Sequence, residues 1–173
     1  MPGELNAPAT DKLYRTIIGE KNTDYFLNYF HRADERGYAP ISWNWPVFFF
    51  GWLWLLYRRT YRWAAIVFFF PTAVLMLAPL LHPLLGETFA NGLAFTAAIG
   101  FQAVYVPMKA NGFYYHHAKT LIHLVKKSFP EDSTRQLEML QRHGGVNPQA
   151  PAVALLGIFL LMTLLGQFVT PPS

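Results

Sequence analysis

Three long apolar runs follow residue 62, the first two parted by a short loop and the third set apart by a long polar segment, and the length of each run sets what it can become. Residues 63–81 and 89–107 give nineteen positions each and residues 153–169 give seventeen. At about 1.5 Å per residue, each of these can cross a hydrocarbon layer of roughly 30 Å as a helix, with modest adjustment for the last. A fourth run, residues 46–57, has only twelve positions and would reach about 18 Å. It is too short to cross alone.

That fourth run ends at Arg58, Arg59 and Arg62. Fusing it with the run behind would place three guanidinium groups in mid-bilayer, at roughly 3 kcal/mol each on insertion scales. Keeping the arginines at the headgroups costs less, and Trp43, Trp45, Trp52, Trp54 and Tyr57 support that placement, because amphipathic rings favour the membrane boundary. Ser42 or Asn44 can cap the helix, and Pro46 suits a first turn where no amide donor is missed. The pattern predicts one short aromatic helix over 46–57, lying flat in the interface or dipping in and returning to the same side.

The polar segments carry amphipathic periodicity of their own. Thr10 or Asp11 can cap a helix presenting Leu13, Tyr14, Ile17 and Ile18 and ended by Gly19, and Asn22 or Thr23 can cap a second with Tyr25, Phe26, Tyr29 and Phe30 before Gly37. This apolar stripe needs a partner, either the membrane surface or the segment after residue 107. In that segment Tyr114, Ala118, Leu121, Ile122, Val125 and Phe129 recur at helical spacing among His116, His117, Lys119, His123, Lys126 and Lys127. A basic helix of this kind fits an anionic leaflet, each cation contributing about 1 kcal/mol near the surface. Ser133 with Gln136 offers a capping box for a last short helix, stopped at Gly144-Gly145.

Composition agrees with a membrane class: 53% hydrophobic and 14% charged residues exceed what one soluble core of this size could bury. The charge is segregated. With 46–57 returning to its own side, residues 1–62 and 108–151 hold all fourteen Lys and Arg, and the loop 81–88 and tail 170–173 hold none. Positive residues stay inside, so the N-terminus is expected in the cytoplasm and the C-terminus outside a bacterial inner membrane. No apolar stretch with a cleavage site opens the chain, so no removable signal peptide is expected. The absence of cysteine excludes disulfides, thiol nucleophiles and Cys-ligated metals. A net charge of +4 placed beside apolar spans points to lipid headgroups and not to nucleic acid.

The expected fold is thus an all-α integral membrane protein with three transmembrane helices, one short interfacial or re-entrant aromatic helix, and amphipathic cytoplasmic helices. Its parts are 1–45 (N-terminal amphipathic helices), 46–62 (short helix and arginine cluster), 63–107 (two-span hairpin), 108–151 (basic amphipathic loop) and 152–173 (third span and outer tail). The stretch "SWNWPVFFFGWLWLLYRRTY", followed by "NGFYYHHAKTLI" and "LEMLQRHGGVN", resembles the bacterial inner-membrane family known as domain of unknown function 2628, over roughly residues 25–147. The Trp-Asn-Trp to Tyr-Arg-Arg block is the most specific part. Where the family pattern often has lysine after the first arginine, Arg59 stands here and keeps the charge. The resemblance implies a small helical membrane protein and supplies no activity.

Candidate chemistry is sparse. His116, His117 and His123 are one, six and seven residues apart, without the i,i+3 or i,i+4 spacing that metal ligands favour on a helix; they are low-ranking metal candidates beside the reading of a basic face. No span contains a histidine for haem, and none carries Asp, Glu, Lys or His for a proton relay beyond Asn91, Gln102 and hydroxyl side chains. No cofactor or catalytic set is expected. His82 and Glu87 form a candidate polar pair in the outer loop. Gly92, Thr96 and Gly100 make a narrow strip for close helix approach, internal or toward a partner or second copy. The expectation is a non-catalytic inner-membrane scaffold or accessory subunit. It would pack on partner helices and contact anionic headgroups through Arg58, Arg59, Arg62, Lys119, Lys126 and Lys127. The alternatives are an oligomeric small-solute or ion transporter or channel and, centred on the three histidines, a lipid- or metal-handling enzyme.

Overall fold

A computed structural model describes the backbone of residues 7–169 and the side chains of residues 10–166, and among these residues every regular element is helical. Residues 1–6 and the tail 170–173, predicted for opposite sides of a membrane, lie outside the described residues. The N-terminal helices are α1 (Ala7–Ile18) and α2 (Thr23–Arg36). Helix α1 buries the apolar face expected, Leu13, Tyr14, Ile17 and Ile18, and α2 buries Phe26, Tyr29 and Phe30, whereas Tyr25 of its expected stripe is exposed. The cap of α2 differs from the expectation. Asn22 sits at φ 59° and its side chain caps nothing, while Thr23 Oγ1 donates back to Gly19 O at 2.5 Å, so the turn between the helices is closed from inside.

The twelve-residue aromatic segment is not one helix. It forms α3 (Trp45–Phe50) and α4 (Trp52–Tyr57), broken at Gly51 with φ 51° and ψ −126°. An L side chain rarely adopts a positive φ, so glycine supplies the reversal. Asn44 caps α3 as expected, its Oδ1 accepting from Val47 N at 3.1 Å, with Pro46 in the first turn. After α4 the chain turns through Arg58 and Arg59, the latter at φ 60°, into α5 (Tyr61–Leu77).

Helix α5 continues through a 3-10 turn (Ala78–Leu81) into α6 (His82–Leu85), giving 25 residues of apolar helix. The predicted outer loop 81–88 contracts to a break at Gly86 before α7 (Glu87–Gly100). From there a π turn (Phe101–Tyr105) leads without interruption into α8 (Val106–Ser128), a continuous rod of 42 residues. Pro107 lies two residues beyond the π turn. Its ring has no N–H and presses on the carbonyl four residues back, and a locally widened turn relieves that clash. The predicted loop beginning at 108 is therefore the second half of a helix, because Pro107 is absorbed instead of ending it.

The last two helices are α9 (Ser133–His143) and α10 (Gln149–Val169). Asp132 caps α9, accepting from Arg135 N at 2.9 Å, so the Ser133/Gln136 capping box is replaced: Gln136 Nε2 donates instead to Phe129 O. Helix α10 starts four residues before the predicted span, because Asn147 Oδ1 accepts from Gln149 N and Ala150 N at 3.2 Å each. Three of these helices are long and apolar enough to cross a membrane: 61–85, 87–128 and 149–166.

One core joins the polar helices to the base of the spans. The face of α8 carrying Tyr114, Ala118, Ile122 and Val125 is buried, and α1, α2 and α9 pack on it. The apolar stripe of the N-terminal helices has thus found protein as its partner, and the α8 face is not free to lie on a leaflet. In the hairpin, α7 buries Ala90, Ala94 and Ala98 and packs mainly on α5. Gly92 and Gly100 have open space around their Cα atoms. The internal small-residue seam is the alanine row, two positions round the helix from the glycine strip.

Candidate functional site

The two sequence blocks singled out above meet at the end of the spans where α3 begins. The extended residues before α3 lie against the start of α8: Ser42 N donates to Met108 O at 3.3 Å and Asn44 N to Pro107 O at 3.0 Å. These two bonds satisfy the backbone amides of the extended segment and fix it against the start of α8. Asn111, fully buried, is the hub. Its Oδ1 accepts from Asn44 Nδ2 at 2.8 Å, and its Nδ2 donates to Tyr25 Oη and Ser42 Oγ, each at 2.8 Å. Buried amides of this kind stabilise only when every partner is present, which fixes the register of α2, α3 and α8. Gly112 beside it permits close approach, since a Cβ there would lie 3.2 Å from Ala39 Cβ.

Arg58 is drawn into this core. Only 2% of it is exposed, and its guanidinium carbon lies 4.4 Å from the Phe26 ring centroid and 5.3 Å from that of Tyr114, with Trp54 and Tyr57 each at 5.9 Å. Nη2 donates to Lys21 O at 2.9 Å, and Nη1 makes a long contact of 3.5 Å with Ile18 O. No carboxylate pairs with it among the described residues. The charge is balanced by ring faces and by the carbonyls between α1 and α2, a setting that a weakly hydrated planar cation tolerates better than an ammonium would.

A third cluster holds α1, α2 and α8 together. Asp34 accepts from Tyr14 Oη and Tyr115 Oη at 2.6 Å each and from Lys119 Nζ at 2.9 Å. Burial pushes the Asp34 carboxyl upward, but the three hydrogen bonds and the Lys119 charge outweigh it, so its pKa lies below the ordinary value. Burial and the bond to Asp34 raise the Tyr14 hydroxyl. A carboxylate with a depressed folded-state pKa contributes stability that is present above its unfolded value near 4 and is lost as pH falls through the folded value. As pH falls below about 4, wild-type protein is therefore expected to lose stability more steeply than Asp34→Asn, as read by thermal unfolding in detergent on acidification; parallel curves would remove Asp34 from the account.

The α3–α4 break lies beside the π turn: a Cβ at Gly51 would sit 4.0 Å from Gln102 Nε2. Gln102 Oε1 is buried and accepts no hydrogen bond among the described residues. From there α4 runs back along α5, with the Trp52 and Phe68 rings at 4.8 Å, and ends where Asn147 N donates to Tyr57 O at 2.8 Å and Asn147 Nδ2 to Tyr61 Oη at 3.2 Å.

The structure disperses the predicted headgroup set. Arg58 is interior, Arg59 is half-buried and donates to Arg142 O, and Arg62 is exposed. Lys119 is paired with Asp34. Lys126 and Lys127 lie about 29 Å along α8 from Pro107 at 1.5 Å per residue. Of the interface aromatics, Trp43 and Trp45 are exposed and stack edge to face at 5.6 Å, whereas Trp54 is buried in the Arg58 box and Trp52 rests on Phe68. His116, His117 and His123 converge on no metal site among the described residues. His82 Nε2 lies 3.1 Å from Asn91 Oδ1 instead of pairing with Glu87. Asn111 and Asp34 were missed by sequence reasoning. An Asn-Gly pair inside a helix is poor in helix propensity, and that local cost was the available signal.

These features define an all-helical protein with three helices able to span a membrane and a polar-helix cap locked onto one end of them. A family model described as protein of unknown function (DUF2628) matches residues 21–119, and the chain belongs to that family. The match takes in the Trp-Asn-Trp, Arg58 and Asn-Gly blocks that build the core, and ends before α9. No curated protein and no solved structure matches the chain.

Proposed function

We propose that this protein is a non-catalytic accessory or scaffold subunit of a bacterial inner membrane, with the α3–α4 pair as a re-entrant hairpin. The observation carrying the proposal is that both ends of that pair are tied at one end of the spans, Asn44 to Pro107 and Tyr57 to Asn147, while its apex lies beside Gln102 and Phe68. Counted from Pro107 and from Tyr61, those two residues lie about 8–10 Å into the spans. Exposed Phe49 and Phe50 would then meet acyl chains, and Trp43, Trp45, Arg59 and Arg62 would lie at the cytoplasmic boundary. Arg58 has a different role, as the core lock of the cap.

Two lateral surfaces suit partner helices: the open Gly92, Thr96 and Gly100 strip, and α10, which rests chiefly on α4 and is otherwise uncovered. The unpartnered Gln102 Oε1 at the hairpin apex supports the second reading, a channel built from several copies, since discontinuous helices and unsatisfied polar atoms line transport paths. Because the chain lacks cysteine, single cysteines at Glu20, Glu131 and Leu84 can be labelled in sealed vesicles. The first two are expected to react from one side and the third from the other. Labelling of Glu20 and Glu131 from opposite sides would end the re-entrant reading. In-membrane crosslinking through Gly92 that yields no partner helix would end the accessory role, and flux lost on Gln102→Leu would favour the channel.

A further inference from the structure

We infer that a recess between α8 and residues 37–40 binds one anionic phospholipid by its phosphodiester headgroup. The recess has a volume of about 370 Å³ and is lined by Tyr38, Pro40, Lys109, Phe113 and His116 among others, with no carboxylate in its wall. Lys109 and His116 project from one face of α8, two turns apart with Phe113 between them. Neither side chain is engaged in an ion pair among the described residues, whereas Lys119, further along the same helix, is neutralised by Asp34. A cation left unpaired in an acid-free recess suits an anion.

The walls are held in place without a ligand. Phe113 stacks on Trp63 at 4.1 Å and 10°, Tyr29 Oη donates to Pro40 O at 2.6 Å, and Gly112 lets Ala39 press close to α8. A pre-formed site avoids ordering costs on binding. The position also fits. Lys109 is two residues beyond Pro107, level with the Ser42 and Asn44 amides and so with the Trp43 and Trp45 pair. That is the depth at which a lipid phosphate lies if the bilayer is placed as above, and the inference rests on that reading.

Spacing selects the ligand class. Lys109 and His116 are about 10 Å apart along the helix, too far for one small oxyanion to meet both, but within reach of a headgroup whose phosphate meets Lys109 and whose terminal hydroxyls meet His116 and Tyr38. Phosphatidylglycerol has that shape. Native mass spectrometry of the full chain, titrated in mild detergent with phosphatidylglycerol or phosphatidylcholine, tests it. One phosphatidylglycerol per chain is expected to be retained at least ten-fold better than phosphatidylcholine. Retention should fall at least ten-fold in K109Q/H116Q and stay unchanged in K127Q, with thermal midpoints recorded for each; Y38F, which keeps the ring, should lose part of the preference for phosphatidylglycerol over phosphatidic acid. Equal retention by K109Q/H116Q, equal binding of phosphatidylcholine, or displacement by inorganic phosphate as effective as by glycerol phosphate would each overturn the inference. Vesicle labelling reports the bilayer placement separately, so failure of the lipid site and failure of the topology give different results.

Discussion

Gly144→Ala is expected to lower the unfolding free energy by about 3 kcal/mol, the upper end for forced overpacking. A Cβ at Gly144 would fall 2.6 Å from Ile17 O, 2.7 Å from Ile17 Cα and 2.7 Å from Leu140 O. All three are backbone atoms and cannot swing aside. The backbone itself, at φ −88° and ψ −164°, is open to any residue, so the penalty is contact and not strain. Relief requires α1 to lift from α9, breaking the Gly145 N to Ile17 O bond of 2.7 Å and uncovering Tyr14 and Ile17. Gly92→Ala, in open space on an exposed helix face, is the control and should be neutral or slightly stabilising. Denaturant unfolding in detergent, followed by protease access near Glu20, measures both. A Gly144→Ala protein as stable as wild type would mean that α1 does not dock against this turn.

The second large effect is at Arg58. Replacement by alanine removes a charge-assisted bond to Lys21 O, worth about 1.5–3 kcal/mol, and desolvated contacts with ring faces, worth roughly 2 kcal/mol. It also relieves the cost of holding a charge in the core without a counter-ion. The cavity left by the longest buried side chain decides the sign, because the Phe26, Trp54 and Tyr114 rings are fixed by their mutual packing and cannot collapse into it. A net loss of about 3 kcal/mol is expected for Arg58→Ala. Arg58→Lys should recover only part of it, since an ammonium is more strongly hydrated and lacks the planar face. The loss should be the same with neutral and anionic lipids. Loss seen only with anionic lipids, at unchanged stability in detergent, would return Arg58 to the headgroups.

Much of the fold was legible because its signals are local. Apolar run length predicted three spans, and three helices of that kind are present. The short run was expected not to cross, and the two ends of α3–α4 are tied to Pro107 and Asn147 at the same end of the long helices. Turn chemistry was less legible. Gly51 carried no sure sign that it would break the aromatic run, because glycine is tolerated within a helix; only its backbone at φ 51° and ψ −126° shows the reversal. Pro107 looked like an end and was instead absorbed by a π turn. The Gly92, Thr96 and Gly100 strip was expected as a close-approach face, yet α5 packs against the alanine row, since both rows offer close approach and sequence cannot say which one faces the neighbour.

Arg58 shows the boundary most sharply. From the chain alone came the apolar lengths, the segregation of all fourteen Lys and Arg from the three apolar runs, and hence the expectation of a membrane class, for hydrocarbon thickness and charge solvation act on each segment by itself. Tertiary structure alone decided that one arginine turns inward among Phe26, Tyr114 and Trp54, that Asn44 and Asn111 meet across 67 residues, and that Asp34 gathers two tyrosines and a lysine. Those pairings depend on which faces are brought together in space, and burial can reverse the choice that solvation makes for an isolated side chain.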